Sequence, residues 1–376
     1  MALINKLNAI GDAIREKTGK TELLTLDEMP VEIESIQGGG EGYIHEGTMK
    51  YMFFDYTNYD SNVADDYKTG FGILTNAALN GIKDTKNVSS AYRAFYENPH
   101  VKEVPFAINL VDGASLNDIF NSANNLLKCP KITGKIGAMQ NPFYYCYYLA
   151  DVSALEDVEF NNEHGTDGRQ NMFSWCSALR HVPESFACKI GHNRNGYYYL
   201  RFFSYCVSLD EVTNLGVNGA TMTSNGFSET FNVTSRLKRM TFETNEDGTP
   251  KTAKWHTQKI AFTGYVGYMN GTSYTKYAGF TEDTRVTDDA TYQALKDNPD
   301  YWTTDINYSR YNHDSAVETI NSLPDTSAYL ATQSGKTNTI AFKGAQGALT
   351  DGGAINTLTE EEIAVAAAKG WTVSLA

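Results

Sequence analysis

Met172-Phe173-Ser174-Trp175-Cys176-Ser177-Ala178-Leu179-Arg180-His181-Val182-Pro183 sets out a pattern that returns along the chain. A Phe is followed three residues later by a small residue, six later by Leu and nine later by Val. Aligned on Phe95, Phe120, Phe143, Phe173, Phe203 and Phe231, the small position holds Asn98, Ala123, Cys146, Cys176, Cys206 and Thr234. The Leu position holds Val101, Leu126, Leu149, Leu179, Leu209 and Leu237. The Val position holds Val104, Cys129, Val152, Val182, Val212 and Met240, and Pro105, Pro130 and Pro183 follow at once in three cases. Periodic units of this length are the mark of a repeat architecture.

One such unit has too few apolar residues to bury its own face, so it must lean on its neighbours. Stacking would place each Phe, small residue, Leu and Val in a continuous internal column. The Leu-x-x-Val segment is then expected to form a short strand, with successive strands pairing in parallel. The fold class predicted is an α/β repeat, a solenoid with short parallel strands.

Composition fits this reading. A chain of 376 residues is long for one compact core. Apolar content of 41% and charged content of 20% lie in the globular range. A net charge of −14 argues against a nucleic-acid partner, and no apolar run approaches the ~20 residues needed to span a bilayer. The N-terminus reaches Asp12 and Arg15 without the apolar core of a secretory signal, so the chain is expected to be made in a cytoplasm and kept there or released by lysis. The 24 Tyr and 18 Phe exceed what a core usually requires.

The register resembles the bacterial surface-protein subclass of leucine-rich repeats called BspA-like. The residues that carry it are 172–183, quoted above, and Phe202-Phe203-Ser204-Tyr205-Cys206-Val207-Ser208-Leu209. The match covers roughly residues 89–245, with more variable unit lengths than the family pattern. The resemblance implies adhesion and ligand display.

At the N-terminus, Leu3, Leu7, Ile10 and Ile14 follow the a/d spacing of a coiled coil, which suits an oligomer, a docking contact or an amphipathic helix folded on its own chain. Thr25 to Glu28 fits a capping box, and Gly38-Gly39-Gly40 reads as a linker. The segment Ile10-Gly11-Asp12-Ala13-Ile14-Arg15-Glu16-Lys17-Thr18-Gly19 is similar to the attachment segment of tail-associated proteins in phages and prophages of Gram-positive bacteria. That resemblance implies a virion tail location, neighbouring tail or baseplate proteins as partners, and a homotrimer.

At the other end Thr359 caps a helix with Glu362, Lys369 and Gly370 close it, and Trp371 to Leu375 makes a strand. A helix from Asp314 to Leu323 and a strand from Asn338 to Phe342 have the same order. The run from Thr359 to Thr372 is similar to the closing unit of phage-encoded repeat proteins. The expected organisation is 1–37 helical attachment or oligomerisation, 38–88 linker and N-terminal cap, 89–245 repeat solenoid, 246–308 unassigned with a helix at Thr287 to Lys296, and 309–376 a helix–strand cap.

Catalytic and metal readings find little support. Gly19-Lys20-Thr21 and Gly335-Lys336-Thr337 lack the earlier Gly of a phosphate loop, since Ile14 and Leu330 stand there. Cys146, Cys176 and Cys206 could align as a thiol ladder, yet the same position accepts Asn98, Ala123 and Thr234, which marks a small buried slot. The seven His are scattered, and nothing selects one carboxylate pair for glycan hydrolysis. No catalytic residue, metal or cofactor is expected.

Two surfaces are candidates for binding. Tyr145, Trp175 and Tyr205 stand two residues after the Phe in consecutive units, flanked by Tyr144, Tyr147, Tyr148 and the run Tyr197-Tyr198-Tyr199. Rings spaced one unit apart could stack on successive sugars, or they could pack between units. On the strands, the pairs Arg180-His181 and Asp210-Glu211, with Lys102-Glu103, Leu127-Lys128, Ala150-Asp151 and Lys238-Arg239, are expected to point outward and alternate in sign. These suit a protein or charged glycan, or simply a solvated face. The function expected is a tail fibre or receptor-binding protein for a host cell-surface glycan or protein. A bacterial surface adhesin of the same repeat type, a purely structural virion component and a glycan hydrolase are the alternatives.

Overall fold

The buried Phe residues organise the chain. In the computed structural model, which describes residues 43–53, 82–161, 169–190, 199–217, 221–232, 234, 237–263, 313–342 and 358–374, Phe95, Phe120, Phe143, Phe173, Phe203 and Phe231 form one column of stacked rings. Each is fully buried, and neighbouring centroids lie 4.8, 5.8, 5.6, 5.9 and 5.8 Å apart with planes within 15°. The column is longer than the sequence pattern suggests. Phe53 stacks on Phe95 at 4.6 Å, Phe262 meets Phe231 at 5.1 Å with a tilt of 31°, and Phe342 stacks on Phe262 at 5.7 Å. Leu126, Leu149, Leu179, Leu209 and Leu237 are buried beside it.

Backbone hydrogen bonds hold the Phe segments together. The amide of each Phe donates to the carbonyl of the residue just before the next Phe: Phe95 to Ile119, Phe120 to Pro142, Phe143 to Met172, Phe173 to Phe202 and Phe203 to Thr230, at 2.8–3.2 Å. The residues two before and two after each Phe donate the same way, as in Asn141 to Gln170 and Tyr145 to Ser174. All these donors point toward the following segment. Such one-sided pairing needs an unusual backbone, and the flanking residues adopt positive φ: Asp118, Asn141, Asn171 and Arg201 before Phe, Ser122, Tyr145, Trp175 and Tyr205 after it. A left-handed residue that is not Gly costs about 1–2 kcal/mol, so the stacked core must outweigh a repeated strain.

The small slot also has a chemical role. The thiols of Cys146, Cys176 and Cys206 donate to the carbonyls of Phe120, Phe143 and Phe173 in the preceding segments, at 3.0, 3.1 and 2.9 Å. Asn98 does the same to Phe53 with its amide, at 2.7 Å. The position therefore favours a small donor, and burial pushes all three thiols far above the ordinary thiol range.

The molecule is mixed α/β, with several short sheets of parallel strands and few helices. Strands β1 (Tyr43–Glu46) and β2 (Ile82–Lys86) pair together. Strands β3 (Val88–Ser90), β4 (Ile108–Ser115), β5 (Ile132–Thr133), β6 (Lys135–Ala138) and β7 (Glu159–Phe160) form the next sheet. After helix α1 (Glu184–Ile190), β8 (Glu211–Leu215) pairs with β11 (Arg239–Phe242) and β9 (Thr221–Met222) with β12 (Lys254–Trp255). Strands β10 (Phe231–Asn232), β13 (Lys259–Thr263), β14 (Asn338–Ala341) and β15 (Trp371–Ser374) close the described chain in that order. Every one of these pairings is parallel.

The strands do not fall where Leu-x-x-Val predicts. Only β8 and β11 begin there; Lys128 and Asp151 make a single bridge, and most strands lie in the stretches that lead into the next Phe segment. Two features explain the shift. The Leu amide is already used, donating to the small residue three back, as in Leu149 to Cys146 at 3.1 Å. Pro105, Pro130 and Pro183 then remove the donor that a continuing ladder needs.

Helix α2 (His313–Ser322) packs on β11, α3 (Ser327–Leu330) on β12 and α4 (Glu360–Ala368) on β15 and α2. Thr359 and Glu362 form the reciprocal capping box. Lys369 reaches the end of α2, donating to the carbonyls of Ile320 and Asn321 at 2.8 and 2.6 Å. The segment 1–37, with Leu3, Leu7, Ile10 and Ile14, lies outside the described residues, as does the stretch predicted as a helix from Thr287 to Lys296.

Candidate binding surface

Two columns of side chains leave the Phe turns toward solvent, one from each left-handed position. The position after Phe carries Tyr145, Trp175 and Tyr205, all half-buried. Trp175 and Tyr205 stack face to face, with centroids 3.8 Å apart and planes at 5°. Tyr145 meets Trp175 at 5.6 Å and 34°. Tyr144 lies 4.1 Å from Tyr145, and Tyr147 touches both Tyr145 and Trp175, meeting the indole edge-on at 90°. Sequence pattern and structure agree on bringing these rings together. They present edges and polar tips, because the inner faces of Trp175 and Tyr205 cover one another.

Two hydroxyls at this edge, those of Tyr144 and Tyr147, hold their protons more tightly than a free phenol. Burial, with a hydrogen bond to Tyr145, pushes the Tyr144 phenol well above its usual range, and burial pushes Tyr147 to about 12. Two other candidates sit differently. Tyr148 is only 6% exposed and belongs to the interior. Tyr199 is buried too, with its ring stacked on Phe227 at 4.4 Å; Tyr197 and Tyr198 lie outside the described residues.

The position before Phe carries a polar column that the Phe register alone does not reveal. Arg93 pairs with Asp118 at 3.3 Å, Asn141 donates to Asp118 at 3.0 Å, and Asn171 donates to Asn141 at 2.9 Å. Farther along, Arg201 pairs with Glu229 at 2.8 Å. Arg93 also lies 5.1 and 4.7 Å from the ring centres of Tyr92 and Tyr96. Asn and Asp tolerate positive φ better than most residues, so Asp118, Asn141 and Asn171 two residues before their Phe were the available signal.

The charged strand residues are drawn into ladders with one another. Arg180 holds Asp210 at 2.6 Å, and Lys238 lies 3.6 Å from the same carboxylate. His181 meets Glu211 at 3.4 Å, Arg239 meets Glu211 at 3.7 Å, and Arg239 grips Glu318 of α2 at 2.6 Å. Lys128 and Asp151 pair at 3.1 Å. The alternation of sign thus matches most of these charges to a neighbour one segment on. Asp210 does not point outward; its side chain is 9% exposed.

A shallow cavity of about 500 Å³ lies between Glu103, Lys128, Lys131 and Asp157. Among the described residues, no group of His, Cys, Asp and Glu is placed to hold a metal ion, and no helix is long and apolar enough to cross a membrane. No protein family model, curated protein or solved structure matches the chain.

Proposed function

We propose that the chain is a leucine-rich-repeat-like solenoid of the BspA-like kind, acting as a tail-associated fibre or receptor-binding protein of a phage or prophage. In this reading residues 1–37 attach it to the tail or baseplate and assemble it as a homotrimer, and the Phe segments display a surface to a host cell-surface glycan or protein. The stacked Phe column supports the solenoid. The observation that carries the binding role is the set of half-buried rings at Tyr145, Trp175 and Tyr205. The same left-handed position holds Glu97 and Ser122 in neighbouring segments, so the turn itself does not require an aromatic residue there.

The test is retention of the purified chain on cells and walls of Gram-positive bacteria, with Trp175→Ala and Tyr205→Ala beside the wild type. Weaker binding by both variants supports the reading, and equal binding by all three proteins removes the rings from it. A second reading, a structural virion component without a ligand, is favoured by the 3.8 Å contact of Trp175 with Tyr205; failure of the wild type to bind any wall would select it. Light scattering on the intact chain and on one lacking residues 1–37 tests the oligomer. Equal subunit number in the two would refute it.

A further inference from the structure

We infer that the ligand of the turn face is an uncharged, hydroxyl-rich glycan, held by side-chain amides beside the ring edges; this rests on the binding role proposed above. The argument begins with charge. The cations and anions of the polar column are closed on one another, Arg93 with Asp118 and Arg201 with Glu229. A polyanion or polycation would have to break those pairs to gain its own, whereas a neutral ligand leaves them intact.

The amides make the second part of the case. Three consecutive segments carry Asn117 and Asn121, Gln140 and Asn141, and Gln170 and Asn171 around the Phe turns. Asn121, Asn141 and Asn171 are used within the column, and Asn117 accepts from the Gln140 backbone at 2.7 Å. The side-chain amides of Gln140 and Gln170 make no hydrogen bond among the described residues, although both are partly exposed and sit side by side, the Asn141 amide donating to the Gln170 carbonyl at 3.1 Å. Each offers two donors and an acceptor, the complement that sugar hydroxyls require. The ring cluster continues the same turns, and Tyr144 lies close enough to Arg201 for each to alter the other's proton affinity. Ring edges and hydroxyls beside free amides suit a ligand with alternating C–H and O–H surface.

The probe is an array of bacterial surface polysaccharides, uncharged and polyanionic, read with the full chain at about 50 and about 500 mM salt, a range over which exposed charge interactions are strongly screened. Retention by uncharged polymers at both salt concentrations is expected. Gln140→Ala with Gln170→Ala should weaken it about tenfold, the loss of two hydrogen bonds of ordinary strength, with an unchanged melting curve because neither amide is bonded among the described residues. Retention only by polyanions at low salt overturns the inference, as does unchanged binding by the double variant. If cells bind the chain while the uncharged polymers do not, or if protease treatment of the cells abolishes binding, the glycan inference falls and the display role stands. If neither cells nor polymers bind it, the display role falls as well.

Discussion

Phe173 and Trp175 are two residues apart, and each stacks on its counterpart one segment on, yet the two columns differ in kind. The inner pair, Phe173 and Phe203, is fully buried with ring centres 5.9 Å apart. The outer pair, Trp175 and Tyr205, is closer, at 3.8 Å, and half-buried. The inner column runs unbroken from Phe53 to Phe342. The outer one has rings at 145, 175 and 205 and then Ser122 and Glu97. Burial demands the same residue in every segment because a missing ring leaves a void, whereas the rim tolerates variation. What repeats locally at the rim is therefore the better guide to binding.

The comparison can be broken most directly at its inner half. Phe143→Ala removes a fully buried ring from mid-column and should cost about 3–5 kcal/mol, read as a lowered urea midpoint. A cost below about 1 kcal/mol would mean the column is not what holds the segments together. The backbone between segments gives the next effect. A Cβ at Gly134 would lie 2.5 Å from the Leu110 carbonyl oxygen, and φ there is +88°. Gly134→Ala should cost about 2–3 kcal/mol, against about 1 kcal/mol for Gly335→Ala, where φ is +66° and nothing lies within 4 Å. Equal losses would show that the close approach of β4 and the turn before β6 is easily relaxed.

The outer half should respond more weakly. A double-mutant cycle on Trp175→Ala and Tyr205→Ala is expected to give a coupling of about 1 kcal/mol. A value as large as an inner-column loss would make the rim part of the core. The smallest effect concerns pH. His313 contacts Asp314 at 3.1 Å and Glu362 of α4 at 3.2 Å, and these hydrogen bonds, Asp314 first, raise its pKa above 6.5. Its contribution is complete below the unfolded value and is lost as pH rises through the raised one. His313→Gln should flatten that part of the stability profile, and an unchanged profile would leave α2 and α4 joined by packing and the Lys369 hydrogen bonds.

How much of this was legible follows from the same contrast. Phe173, Cys176, Leu179 and Val182 stand out because a shared interior forces identical choices at identical spacing. Phe53, Phe262 and Phe342 join the column without that signature: Tyr56 and Tyr265 follow the first two at the small position, and Asn62, Gly271 and Asp351 stand at the Val position. Their rings are recruited by the sheet β10–β13–β14–β15 and by β1's neighbourhood rather than by a repeated motif. Strand positions were misplaced because Leu-x-x-Val looks extended while its amides are spent in turns. The ring cluster was readable from register, but its geometry was not, since a sequence cannot tell rings that face a ligand from rings that face each other. The amides at 140 and 170 stand three residues before their Phe, as Asn117 does one segment earlier, a recurrence too short to stand out beside the Phe register.

The one-sided hydrogen bonding of the Phe turns gives the protein a sense, like an arrow. Amides look toward the C-terminal neighbour and carbonyls toward the N-terminal one. Two copies joined through these turns could meet only front to back, because reversed contact would set donor against donor. A two-fold pair must therefore use another part of the chain for its common seam.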